Sequence, residues 1–262
     1  MSIKVDPDWW KTLFDEIYLL TDARSVCNGE LTRRETDVIC DLVPMEMHHR
    51  ILDLCGGQGR HSMELSSRGF SGCTVLDYSQ YLIDVGMETA SQSGYEIEFL
   101  QGDARETGLP GDIFDHVLIL GNSIGYLPDP DDDSRILMEA CRVLKPGSWI
   151  LVDVADGEQL RDNLSPNAWH EIDEDIVVCR IRQIEGGSVR AREIVVSKEQ
   201  GLIRDQSYSI RYFEAETIKD MMTGAGFETV TVHRDFKPHD SEGDFGFMNR
   251  RMIVTAKKPE DE

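Results

Sequence analysis

The chain has 262 residues, 40% hydrophobic and 29% charged, which suits one large core with embellishments and is short for two full domains. Its 27 Lys plus Arg against 49 Asp plus Glu give a formal net charge of -22; such a surface repels phosphate backbones and anionic head groups and argues against nucleic-acid and membrane partners. Only 8 of the basic residues are Lys, a balance that fits a salt-adapted host or an ordinary acidic enzyme.

Six cysteines (Cys27, Cys40, Cys55, Cys73, Cys141, Cys179) are scattered with no C-x-x-C pair, which predicts a reducing, cytoplasmic setting. Asp6, Pro7 and Asp8 stand where a signal peptide would be apolar, and no window approaches the roughly 20 apolar residues of a membrane span.

In chain order, residues 8–20 place Trp9, Trp10, Leu13, Phe14, Ile17, Tyr18 and Leu20 at helical spacing. After a loop through Asn28 and Gly29, Thr32 reads as an N-cap with Glu35 completing a capping box, and the helix stops before Pro44. Strands are then predicted at 50–54, 73–76, 96–100, 115–120 and 148–154, alternating with helices at 58–68, 79–90 and 132–144. This alternation predicts a parallel sheet with helices on both faces. Residues 168–213 break the pattern with three β-like stretches, 176–184, 189–197 and 202–213, separated by Gly186-Gly187 and Gln200-Gly201; they predict an antiparallel insertion. A helix at 214–224 and strands at 229–233 and 251–256 close the fold, with a frayed tail beyond. The expected organisation is an N-terminal helical lid (1–45), an α/β core (46–155 and 214–262) and an insertion (156–213) that builds part of an acceptor pocket.

Residues 51–60 read ILDLCGGQGR: a strand, an Asp at its end, a glycine-rich turn, then a helix. Gly57 and Gly59 remove the Cβ atoms that would keep a ligand off the backbone, and the helix start offers free N–H groups. The dinucleotide fingerprint needs a third glycine where Ser62 stands, and Asp53 would oppose a pyrophosphate; a ligand bearing a cationic amino acid suits the turn better. Asp77 ends the second strand, 18 residues after Gly59, where a carboxylate accepts both hydroxyls of a ribose. Asp103 follows the third strand and suits an adenine amino group.

These motifs, LDLCGGQG, VLDYS, QGDARETGLPGDIFDHVLILGNSIGYL and VLKPGSWILVDV, closely resemble the class I S-adenosylmethionine-dependent methyltransferase family over most of residues 50–155 and the final strands. The resemblance implies a Rossmann-like seven-stranded mixed sheet whose last strand is antiparallel. It implies that Asp53, Gly56, Gly57 and Gly59 face the methionine part of S-adenosylmethionine, that Asp77 holds the ribose with Tyr78 beside it, that Asp103 and Ala104 read adenine, and that Asn122 sits beneath the sulfonium. S-adenosylhomocysteine would be the product. The chain departs from the family's pattern at Cys55, where glycine is usual.

The acceptor is written less plainly. The aromatic N-terminal stretch and the β insertion are similar to those of small-molecule members, including N-methyltransferases of amino sugars and amino acids, and no DNA-methyltransferase motif (N/D-P-P-Y, or a Pro-Cys pair) is present. An amine acceptor needs only to be neutral; a hydroxyl needs a base. Tyr126, His233 and His170 are the catalytic candidates, each with a structural reading beside it. Trp9, Trp10 and Tyr18 are candidates for an aromatic box over the sulfonium or acceptor, and Arg24 and Arg211 for pairing with a carboxylate on the cofactor or acceptor. His48, His49 and His61 read as surface or structural, and the acidic run 129–133 lacks EF-hand spacing, so no metal is expected. A monomer or homodimer acting on a small molecule is the expected form. The rivals are a protein or peptide methyltransferase, a NAD-dependent oxidoreductase and a non-catalytic cofactor-binding regulator.

Overall fold

A computed structural model describes residues 2–239 and 245–261. Its main sheet has seven strands: β1 (Arg50–Leu54), β2 (Gly72–Asp77), β3 (Glu98–Gln101), β4 (Phe114–Ile119), β5 (Leu144–Ala155), β10 (Glu228–Phe236) and β11 (Arg251–Lys257), in the order β10-β11-β5-β4-β1-β2-β3. Only β11 runs antiparallel to its neighbours, as the family resemblance implies. Strand order reverses at β1, which pairs with both β2 and β4, so the ends of β1 and β4 part to leave the crevice where α/β sheets bind ligands.

Strands β1 and β4 are buried on both faces and read as continuous apolar runs. Leu52, Leu54, Val117 and Ile119 face a core completed by α6 (Asp131–Val143) and α8 (Ala215–Gly224); Ile51, Leu118, Leu151 and Ile253 face α3 (Gly29–Leu42) and α4 (Arg60–Ser67). Helix α5 (Gln80–Ser93) starts behind Ser79, whose hydroxyl accepts from Leu82 N, and ends at left-handed Gly94.

A second, four-stranded antiparallel sheet comprises β6 (Asn167–Glu171), β7 (Ile176–Glu185), β8 (Ser188–Ser197) and β9 (Gly201–Arg211). Its inner face packs on the N-terminal stretch: Ala191, Tyr208 and Ile210 against Trp9 and Leu13, and Ile176, Val178 and Val195 against Ile17 and Leu20. The sheet therefore roofs the crevice.

Four local expectations change. The helix expected over 8–20 is a 3-10 turn (Trp9–Lys11) followed by two short helices, α1 (Glu16–Thr21) and α2 (Ala23–Val26), because Asp15 turns the chain and caps α1 through Ile17 N and Tyr18 N. The N-cap of α3 is Asn28 rather than Thr32, whose hydroxyl bonds back to Asn28 O inside the helix; Glu35 makes long-range contacts described below. The insertion holds four strands, not three, and is preceded by α7 (Gly157–Asn163). Strand β5 begins at Leu144 and runs through Lys145-Pro146-Gly147, which were expected to separate helix from strand. Among the described residues, no helix is long and apolar enough to cross a membrane.

Candidate active site

Between the two sheets lies a cavity of about 220 Å³, floored by the ends of β1, β2 and β4 and roofed by the N-terminal stretch and the second sheet. On its floor the chain leaves β1 through Cys55 (φ 61), Gly56 and Gly57 (φ 58). A Cβ on Gly56 would stand 2.6 Å from Asp53 Cγ and 2.9 Å from Asp53 O, so the turn closes only with glycine there. Cys55 occupies a left-handed conformation that favours glycine, the residue usual there in the family pattern; burial pushes its thiol well up, which keeps it protonated.

Asp53 is fully buried. Ser62 Oγ donates to its Oδ2 at 3.0 Å, while Oδ1 has no partner among the described residues. Burial pushes this carboxyl up to about 6, against the Ser62 bond and the Arg60 charge. An orphaned buried carboxylate oxygen on a cavity wall calls for a cationic donor. Asp77 accepts from Gly57 N and Ser79 N, both at 2.8 Å; burial raises its carboxyl and those amide bonds oppose the rise. It ends β2 on the cavity wall. Asn122 (φ 62) accepts from Ala155 N at 2.8 Å, which ties the end of the β4 loop to β5.

At the β3 end, Arg105 clasps Asp103, Nη2 at 2.6 Å, and reaches Asp132 at 2.8 Å; the Arg105 bond lowers the Asp103 carboxyl. Arg105 also lies 5.7 Å from the centre of the Trp10 ring, and the Trp10 and Tyr78 rings meet edge-on with their centres 4.6 Å apart. Trp10, expected over the sulfonium or acceptor, stands beside Tyr78, Asp103 and Ala104 on the cavity wall. Deeper in, Phe14 stacks on Tyr126 at 5.5 Å and meets Tyr18 edge-on at 5.0 Å. Burial holds the Tyr126 and Tyr18 phenols protonated well above the ordinary tyrosine range.

Six expected site residues stand elsewhere. Trp9 is buried in the packing between the N-terminal stretch and the second sheet. Gly59 caps α4, where a Cβ would meet Phe99 at 2.9 Å, so it serves helix–sheet packing. Arg24 stacks behind Phe245, 4.8 Å from the ring centre. Arg211 binds Asp133 at 2.7 Å and Leu127 O at 2.6 Å and holds the loop after β4. His233 reaches Thr255 Oγ1 at 3.2 Å between β10 and β11. His170, on β6, lies against the Thr21 backbone, and burial lowers its imidazole.

Two groups were not expected from the sequence. The first is a buried ion network. Arg251, with no exposed surface, pairs with Glu35 and with Asp153 (2.6 Å); Glu35 also takes Arg60 and His61, and Asp153 accepts from Gly121 N at 3.1 Å. Burial would raise Glu35, but Arg251 and Arg60 more than offset it and hold its carboxyl far below the usual range; burial pushes Asp153 up to about 6 and lowers His61 to about 4. The second is a charged patch on the roof: Asp22, Arg180, Arg182, Glu193 and Arg204 all face the cavity. Arginine at 180 and 182, two apart on one strand, was the available signal.

Residues 51–147 match a family described as the methyltransferase domain. The chain is 32% identical over 216 residues to the putative methyltransferase YqeM of Bacillus subtilis, covering 80% of this chain and 84% of that protein.

The chain belongs to the class I S-adenosylmethionine-dependent methyltransferase family.

This methyltransferase is also 28% identical over 213 residues to the ubiquinone/menaquinone biosynthesis C-methyltransferase UbiE of Azotobacter vinelandii, covering 79% of this chain and 77% of that protein. Its fold matches S-adenosylmethionine-bound CalS10, an amino pentose methyltransferase of Micromonospora echinaspora, with a TM-score of 0.67 at 17% identity over 94% of this chain and 98% of the other. S-adenosylmethionine is the methyltransferase's cofactor, and the floor fits it: the orphaned Asp53 Oδ1 suits a cationic partner and Asp77 has the acceptor oxygens a ribose needs.

Proposed function

We propose that the enzyme methylates an amine of a small-molecule metabolite, with Asp53 and the 55–57 turn holding the methionine part of S-adenosylmethionine, Asp77 the ribose, and Tyr78, Trp10, Asp103 and Ala104 the adenine. The carrying observation is the roofed cavity, in which charged side chains of the second sheet face the floor. A polar acceptor suits that roof better than a quinone of the kind named for UbiE or an extended peptide.

The cofactor supplies an activated methyl on a sulfonium leaving group. The protein supplies alignment and a dry pocket for in-line displacement. Three groups offered by the sequence as a base do not fit that part: His233 and His170 stand off the cavity, and burial keeps the Tyr126 phenol protonated. His61, which does line the cavity, is tied to Glu35 at 3.0 Å. An amine that arrives neutral needs no base, which favours nitrogen over a hydroxyl. Ser62 bonded to Asp53 fills the place of the third dinucleotide glycine and weighs against NAD. A cytoplasmic, monomeric or homodimeric enzyme without nucleic-acid or membrane partners fits the six free cysteines and the charge.

The test is release of S-adenosylhomocysteine on incubation with S-adenosylmethionine and, separately, pools of small amines, small alcohols and basic peptides. Turnover confined to the amine pool supports the proposal. Turnover with peptides or alcohols alone, or none with any pool despite cofactor binding, contradicts it.

A further inference from the structure

On a chain of net charge -22, three arginines each no more than 9% exposed, Arg180, Arg182 and Arg204, line this one cavity. Arg180 and Arg182 project from β7 to the same face. Glu193, the cross-strand partner of Arg180 on β8, and Asp22 from the N-terminal stretch stand with them. Arg180 gives Nε to Glu193 Oε2 and Nη2 to Asp22 Oδ2, each at 2.8 Å, and leaves Nη1 with no carboxylate partner among the described residues. Arg204 gives Nη2 to Asp15, while its Nη1 stays 3.6 Å from Glu193 Oε1 and 3.4 Å from Leu13 O, too far for strong bonds.

Taking a guanidinium out of water is costly, and the acids here hold its direction without using all its donors. The two acids clamp Arg180 from one side, so the fork is already oriented and little side-chain entropy remains to be lost when a ligand arrives. What such a fork takes is a planar anion. The patch belongs to the roof, whereas the floor carries Asp53, Asp77 and Asp103.

Resting on the small-molecule reading above, we infer that the acceptor carries a carboxylate, which docks on Arg180 with Arg204 beside it and so aims the acceptor's amine at the cavity floor. Aromatic side chains Phe14, Tyr126 and Tyr208 also line the cavity.

The test is calorimetric titration of the protein saturated with S-adenosylhomocysteine. The probes are amino acids paired with their primary amides: glycine with glycinamide, β-alanine with its amide, and 3-aminobenzoate with 3-aminobenzamide. At least one acid should bind roughly tenfold more tightly than its amide, the scale of one charge-assisted bond. Arg180→Met should erase that preference while leaving S-adenosylhomocysteine affinity intact. Arg180→Lys keeps a charge for Asp22 and Glu193 but loses the fork; it should show a reduced preference, and it carries the same test if the methionine variant does not fold. Acids binding no better than amides, no acid binding, or an Arg180 variant that loses S-adenosylhomocysteine affinity would each overturn the inference, the last by placing the guanidinium on the cofactor. Failure of the wild type to bind S-adenosylhomocysteine would instead sink the cofactor site on which the proposed function stands.

Discussion

Arg251 on the last-sequence strand of the main sheet binds Asp153 on β5 at 2.6 Å with neither side chain open to solvent, and its other arm binds Glu35 on α3. Asp153 in turn holds Gly121 N, so a residue near the C-terminus fixes the loop that forms part of the cavity floor. Replacing Arg251 by Met leaves Asp153 buried without its cation and Glu35 with Arg60 alone. The expected loss is about 3–5 kcal/mol of stability, read from the urea unfolding midpoint, because breaking a buried pair leaves an uncompensated charge. A loss below about 1 kcal/mol would mean that the network is not formed in solution.

Cofactor affinity should depend on pH through Asp53. Its carboxyl is pushed up to about 6 from an ordinary 3.8, so folding disfavours its ionised form. The resulting stability penalty is absent at low pH, grows as pH rises from about 4, and is complete above about 6 at roughly 3 kcal/mol. A bound ammonium favours the ionised form, so S-adenosylhomocysteine should bind more tightly as pH rises from about 5 to about 7. Asp153 is held near the same value by burial and stays in place in Asp53→Asn. Calorimetry should therefore show the slope in the wild type and a flatter line in Asp53→Asn; equal slopes would move the titrating group elsewhere.

Gly56→Ala places a methyl 2.6 Å from Asp53 Cγ and 2.9 Å from Asp53 O. The carboxylate must shift, at a cost of about 1–3 kcal/mol in stability. A drop in S-adenosylhomocysteine affinity should accompany it. An affinity equal to wild type would remove Asp53 from the cofactor site.

Asp77→Ala should cost about 2 kcal/mol of binding, roughly 30-fold in affinity, since buried hydroxyls lose a charged acceptor. His49→Ala is the control. His49 meets His116 at 2.9 Å on the opposite edge of the sheet, away from the cavity lining, and its loss should leave binding unchanged. Unchanged binding in Asp77→Ala would unseat the ribose assignment.

The sheet and the floor were legible because their signals are local. A five-residue strand, the acidic residue within it and the glycine-rich turn after it are adjacent in sequence, and β2 ends in Asp77 on the same edge. What the sequence left unread depends on distance. Glu35 and Arg251 are 216 positions apart, and Glu35 looked like a capping residue because its spacing from Thr32 fits that role equally well. The 8–20 helix failed because apolar spacing persists across the break that Asp15 introduces. Strand β6 is short and alternates exposed with half-buried positions, so no apolar run marks it. His233, His170 and Arg211 were drawn toward the site by chain order, while hydrogen bonds to Thr255, the Thr21 backbone and Asp133 decided their places. Arg180 and Glu193 were readable as strand residues, but their pairing across β7 and β8 needed the register.

The most direct measurement is calorimetric titration of the purified protein with S-adenosylmethionine and S-adenosylhomocysteine, with NADH titrated alongside. One site per chain, micromolar for both sulfur compounds and silent for NADH, is the predicted result. No heat with either sulfur compound, or saturable binding of NADH, would contradict the assignment of the cavity floor.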